Sequence, residues 1–422
     1  MSGTDHQAAS LRRALLLASC AGLATYASPA LADTRVEVLV SGGLGVENNP
    51  FLSMEDDTAE DEDGASFAAE LMVEPSLYIE DERTTFRLYG NARLRQFFER
   101  YGTTGSLSLG AEGSTRLDER TTLSSGARFT TSRDAAQEAL LFDGQDLSTL
   151  DPGTLPVIND IDPTIAGIGG RFTSYGANAS VSRQLTPQDS GSASLAFEEN
   201  RIEGDIGLDT RTADLILGYA RRLNERTSVV ANLGGTRSDL LGRNAGDALS
   251  FTPMVGIQQQ VSERLNWTAQ VGVSHSRIDD GLGDDISNTT LAFTLNGCRQ
   301  DLRGVLCVTA QQQPRATTFG GFTNSTALTI GYDAKISLRD SIGVNANYRR
   351  SSRLSSQPLL DLPISDEDEL IGVAGNFRRA FNDRLSGFVS ASYAKVNSDL
   401  FPDRDANIAG YVGLSYYFGR RR

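Results

Sequence analysis

Residues 296–310 read NGCRQDLRGVLCVTA and place Cys298 and Cys307 on either side of an Asp-Leu-Arg-Gly turn. Two thiols at this spacing could form a metal site, a redox pair or a disulfide. Zinc needs two further ligands, and none is adjacent. The third cysteine, Cys20, belongs to an N-terminal targeting segment. There Arg12 and Arg13 precede ALLLASCAGLATYA, and Ala30-Leu31-Ala32 supplies a small-residue cleavage site before Asp33. A lipoprotein reading of LASC competes less well, because only six residues separate Arg13 from Cys20. Removal of residues 1–32 leaves an even cysteine count in an exported chain, which favours a disulfide.

Other candidate chemistry is thinner. His275, in VSHSR, is the histidine left beyond residue 32. A barrel hydrolase acting on lipid pairs such a base with a serine nucleophile. His275 shares parity with Trp267, Ala269, Val271 and Val273, however, whereas Ser274 and Ser276 fall on the opposite face. An interfacial histidine is the plainer reading, and no catalytic residue or cofactor is expected. The acidic stretch MEDDTAEDEDGASFAAE, residues 54–70, puts Asp61, Asp63 and Glu70 at three positions of a calcium loop. The first position is Ala59 and no flanking helices are expected, so these are weak metal candidates in a solvated acidic loop. Such a loop suits divalent cations held alongside lipopolysaccharide.

Arginines are more informative, because they recur on one side of alternating segments. In residues 84–98 one parity holds Phe86, Leu88, Gly90, Ala92, Leu94 and Phe98. The other holds Arg87, Tyr89, Asn91, Arg93 and Arg95. A period of two this clean means a strand with one apolar and one polar face. Residues 325–338 repeat the split, with Asp333 and Lys335 on the polar side, and Arg128 and Arg349 follow the same rule. Arginine at mid-membrane on a barrel's lipid face costs about 2–4 kcal/mol, so these side chains are expected to line the lumen. There they either pair with Glu70, Glu74 and Asp214 to stiffen the interior or form a basic track for anionic solutes. Arg211 aligns instead with Leu215 and Leu217 and is expected at a rim.

The elements that must position these residues are strands throughout. Of the 422 residues, 39% are hydrophobic and 42 are glycine, and the formal charge of -15 argues against nucleic acid. No apolar run of helical membrane length follows residue 32, which leaves a strand-built barrel open. Short connections (LDERTT, LNERTS, SERLN, LRDS, FNDRLS) alternate with longer ones at 47–64, 132–170, 239–247, 279–285, 354–367 and 399–405. Sorting by length in this way is the habit of a transmembrane antiparallel up-and-down β-barrel, with short periplasmic turns and long extracellular loops. About 18 strands are counted over residues 33–422, with 16 as the alternative because the segments at 191–209 and 227–239 are weakly marked. Pro314 falls inside a strand and is expected at a bulge or near the outer rim. In this frame Cys298 and Cys307 face the lumen opposite each other, as a staple across a periplasmic hairpin.

VSGGLGVENNPFLS, a glycine-rich first strand running into an Asn-Asn loop, resembles the start of outer-membrane β-barrel porins of proteobacteria. The closing GYVGLSYYFGRRR is similar to the aromatic final strand read by barrel assembly machinery, although Phe418 is followed by Gly-Arg-Arg-Arg. The resemblance implies an outer-membrane location and, through the group's frequent association with exopolysaccharide or capsule loci, a polysaccharide cargo. The leading expectation is therefore a pore for hydrophilic solutes. The alternative is a non-conducting structural or adhesive barrel, with segment 132–170 either plugging the lumen or presented outside.

Overall fold

The computed structural model describes residues 33–52, 65–98, 101–133, 171–203, 209–241, 246–279, 285–317, 321–354, 367–398 and 405–419. The targeting segment, Asp61, Asp63 and residues 134–170 lie outside the described residues. The first nine strands are β1 (Asp33–Glu47), β2 (Ser66–Glu80), β3 (Thr84–Phe97), β4 (Thr103–Arg116), β5 (Thr121–Ser132), β6 (Phe172–Gln184), β7 (Asp189–Ile202), β8 (Asp209–Asn224) and β9 (Thr227–Leu241). The second nine are β10 (Asp247–Ser262), β11 (Leu265–Asp279), β12 (Asp285–Gln300), β13 (Gly304–Thr317), β14 (Gly321–Lys335), β15 (Asp340–Arg353), β16 (Glu367–Ala380), β17 (Leu385–Ser398) and β18 (Asn407–Phe418).

Each strand pairs antiparallel with its neighbours in sequence, and β1 pairs with β18 from Val38↔Phe418 to Glu47↔Ala409. The result is a closed 18-stranded barrel, so the sixteen-strand alternative is set aside. Closure satisfies every strand with two neighbours and removes the edges that an open sheet would expose. Alternation along each strand sorts the side chains. Val36, Leu44, Leu71, Leu88, Val255, Val271, Leu291 and Val412 are among the large apolar side chains left exposed on the outer face. An apolar surface of this extent wrapped around a barrel is a lipid-facing surface. Inside lie Ser, Thr, Asn, Gln and charged residues, such as Asn266, Thr268 and Gln270 of β11 opposite Cys298, Asn296 and Thr294 of β12.

The turns are specified locally. Asp81 Oδ1 accepts hydrogen bonds from the backbone N–H of Arg83 (2.8 Å) and Thr84 (2.6 Å). Asn382 Oδ1 does the same for Arg384 and Leu385, each at 2.9 Å. These Asx turns hold the backbone in a tight reversal between strands. The Asp118 carboxylate takes the Arg120 N–H (2.7 Å) and the Thr121 hydroxyl (3.0 Å), and these bonds hold it below the usual carboxylate range. Tight turns of this kind occupy one end of the barrel, with both termini of the described barrel. The longer connections leave from the other end, although β3 and β4 are joined there by residues 98–102 and β13 and β14 by residues 318–320.

Several boundaries differ from the sequence reading, among them β9, which runs to Leu241 into the connection read from 239. The loop read from residue 47 gives way by one residue, since β1 runs through Glu47 and turns its carboxylate inward. β14 begins at Gly321, four residues before the alternation read from residue 325. Pro314 sits in the outer half of β13, beyond the last register pair between β13 and β12. That stretch of β13 has no β12 ladder to which a backbone N–H could donate.

Candidate pore lining

β3 contributes the densest set of lumen-facing charge. Its odd positions Arg87, Tyr89, Asn91, Arg93 and Arg95 all lie on the inner face, as the alternation requires, and burial divides them into two tiers. Toward the long-connection end, Arg95 Nη1 lies 3.1 and 3.2 Å from the two carboxylate oxygens of Glu47. The two side chains are 2% and 1% exposed. Arg93 pairs with Glu70, its Nε donating to Oε2 at 2.8 Å, and both are buried. Nearer the short turns, Arg87 faces Glu112 at 3.5 Å, and farther round the wall Arg128 of β5 faces Glu198 of β7 at 3.6 Å. These two pairs are roughly half-exposed, so they are open to water and to a solute. Asn91 donates to Glu74 at 3.2 Å, between the tiers.

The buried tier sits in a local core. Phe97, the next inward position after Arg95, packs with Ala68, Ala409 and Tyr411, and Tyr101 and Phe388 lie against them. Tyr101 adopts a left-handed backbone conformation (φ +63°), which turns its ring inward against Phe51 and Phe97. Its hydroxyl donates to the Asn48 carbonyl at 2.8 Å. Gly45 has no room for a side chain here, because a Cβ would run into the Tyr411 ring and the Gly410 carbonyl. The β18–β1 closure is thus filled on its inner side by charge pairs and aromatic rings.

The remaining inward-facing residues from the sequence reading lie on the opposite wall. Asp333 and Lys335 are at the short-turn end of β14, and Lys335 is exposed. Arg349 of β15 lies farther toward the long-connection end and is 2% exposed. Of the nine residues expected from parity to face the lumen, Arg93, Arg95 and Arg349 are buried. Glu70, read as a weak metal candidate, is engaged with Arg93. Among the described residues no group of three His, Cys, Asp or Glu could hold a metal ion. Asp214 accepts from the Thr236 hydroxyl rather than from an arginine.

His275 is exposed on the outer face, and its Nδ1 lies 3.0 Å from Thr289 Oγ1 on the neighbouring strand. Ser274 and Ser276 point inward and are buried. Arg211 sits near the long-connection rim on the outer parity, where it meets Glu199 at 3.2 Å and Arg201 contacts the same carboxylate. Glu47, Glu112 and Glu198, the partners of three arginines, escaped the sequence reading. Their inward parity was visible, but ion pairs between separate strands leave no local spacing to read.

Cys298 and Cys307 stand directly opposite in the β12–β13 register and form a disulfide, with Cα atoms 4.2 Å apart. Both side chains are on the inner face, one short turn from the barrel end. The closed loop is small, so the expected stabilisation is about 2–3 kcal/mol. Protein lacking residues 1–32, alkylated after denaturation without reductant, is expected to keep its mass. Two added alkyl groups would remove the staple.

No family model and no curated protein matches the chain. Among solved structures, the FrpB iron transporter from Neisseria meningitidis (F5-1 variant) aligns over 88% of this chain, at 10% identity and a TM-score of 0.44. The chain spans 64% of that transporter's length. OccK2 (OpdF) of Pseudomonas aeruginosa aligns over 92% of this chain and 98% of its own, at 10% identity and a TM-score of 0.41. A BenF-like porin from Pseudomonas fluorescens Pf-5 aligns over 92% of this chain and 100% of its own, at 8% identity and a TM-score of 0.42. No residue role is carried over from them.

Proposed function

We propose that the chain is a bacterial outer-membrane channel for hydrophilic solutes. The observation that carries this reading is the contrast between the two faces of one closed wall, apolar outside and polar within, across 18 strands. Barrels of 16–18 strands enclose more volume than their own side chains fill, which leaves an aqueous path. The half-exposed pairs Arg87–Glu112 and Arg128–Glu198 offer that path both signs of charge. Their guanidinium groups favour solutes bearing carboxylate or sulfate, and an acidic polysaccharide passing outward is the cargo suggested by the porin resemblance. Lipopolysaccharide is the natural neighbour of the charged outer rim around Glu199, Arg201 and Arg211. β18, with Tyr416 and Phe418 on its outer face, is the strand offered to barrel assembly machinery.

A second reading is favoured by the filled inner side of the β18–β1 closure, which would suit a barrel that does not conduct. Planar-bilayer recording separates the two. Refolded protein is expected to give stepwise conductance that is larger for anions bearing carboxylate than for cations of similar size. A protein that stays silent, even after deletion of residues 134–170, would end the channel reading.

A further inference from the structure

The wall is not uniform around the barrel. The β12–β13 ladder is the shortest of the eighteen, running from Gln300↔Val305 to Phe293↔Gln312 and no farther. Beyond that point β12 continues to Asp285 paired with β11 alone. β13 continues to Thr317 paired with β14 alone. Next to the last register pair, the Gln312 amide donates to the Leu291 carbonyl at 3.3 Å.

The freed ends of β13 and β14 have moved inside the wall. Phe322 and Ala316 belong by alternation to the outer face, with Ile330, Tyr332 and Leu306. Phe322 is nevertheless 1% exposed and packs against Ala248 and Ile278, which are inward-facing residues of β10 and β11. Ile286, Ala316 and Leu354 complete the contact. Outer face therefore lies against inner face, which requires the β13–β14 ends to overlap the lumen side of β10–β12. One hydrogen bond crosses the overlap and a second ties its acceptor residue to β14. Asn288, on the inner face of β12, donates to the Leu354 carbonyl at 3.4 Å, and the Leu354 N–H donates to Phe322 O at 3.1 Å. Cα atoms of β13 come within 8 Å of those of β8, five strands away around the wall.

We propose that these tucked ends of β13 and β14 are the pore's standing constriction, a size-selecting element made from the barrel wall itself. The proposal rests on the channel reading and adds the place where solute size is decided. Phe322 is the latch, because its ring fills an apolar seat made by Ala248 and Ile278 on the inner face of β10 and β11. The disulfide at the opposite end of the same β12–β13 ladder keeps the pair joined below the split.

The test uses the refolded full barrel in planar bilayers, with polyethylene glycols of graded size as the exclusion probe. Phe322→Asp places a charge in the apolar seat and is expected to release the tuck. It should raise unit conductance about twofold or more and shift exclusion to larger polymers. The double variant Ile278→Cys/Phe322→Cys, oxidised to tether the tuck, is expected to keep the parent's conductance and cutoff. A folded Phe322→Asp protein with unchanged conductance and cutoff would overturn the constriction. So would a tethered protein that no longer conducts, since the tuck would then be a gate that must leave. Silence of the parent together with Phe322→Asp is a different failure, that of the channel reading, and the constriction falls with it. Conductance gained only on Phe322→Asp supports a constriction narrow enough to occlude the parent.

Discussion

Arg95→Met is expected to destabilise the barrel by about 3–5 kcal/mol, because it takes the paired guanidinium away from the buried Glu47 carboxylate. The geometry sets the size of the effect. Arg95 and Glu47 are 2% and 1% exposed, and one guanidinium nitrogen reaches both carboxylate oxygens at 3.1 and 3.2 Å. The pair also spans two strand boundaries, from β1 over β2 to β3, next to the β1–β18 closure. Its loss therefore removes a tie beside the β1–β18 ladder that closes the barrel. Arg87→Met provides the contrast, since its half-exposed partner Glu112 stays hydrated and the cost is about 0–1 kcal/mol. The double variant Glu47→Leu/Arg95→Met should recover much of the single-variant loss, as apolar replacements of buried ion pairs often do. Urea midpoints of the refolded barrel, read from loss of the compact band on unheated gels, give the comparison. Equal midpoints for Arg95→Met and Arg87→Met would show that burial of the Glu47 pair contributes nothing.

Much of this barrel was legible because strand alternation is a one-residue rule. Each side chain's face follows from its neighbours at two-residue spacing, so Arg87 through Arg95 could be placed inside before any pairing was known. The same rule brought Cys298 and Cys307 to opposite positions. What alternation cannot report is depth. Arg93 and Arg87 share a face and a strand, yet one is sealed by Glu70 and its neighbours while the other meets water. That difference depends on partners from other strands and on the Tyr101 ring that follows β3. Phe322 illustrates a second limit. Its outward parity is genuine, but the surface outside it is the inner wall of β10–β12 rather than lipid, and no local pattern distinguishes the two. The displaced start of β14 has the same origin, since the strand reaches its extra residues, Gly321–Asn324, only inside the tuck.

The outer face makes an equally sharp prediction. Val271 lies midway along β11 and is 53% exposed, flanked in register by Val255 and Phe293 on the adjoining strands. If this surface meets hydrocarbon, Val271→Arg places a guanidinium where nothing can solvate it, at a cost of about 2–4 kcal/mol. The matched control is Thr294→Arg, one position along β12 from Phe293 but on the inner face, where water reaches the new charge. Both variants add the same side chain at the same height of the wall, so propensity and bulk largely cancel. Refolding into phosphatidylcholine vesicles should show Val271→Arg with a lowered folded yield and urea midpoint, while Thr294→Arg stays close to the parent. In aqueous micelles the gap should narrow, because a thin detergent layer lets the arginine reach water. A larger loss at Thr294 than at Val271 would reverse the assignment of the two faces, and with it the case for an aqueous lumen.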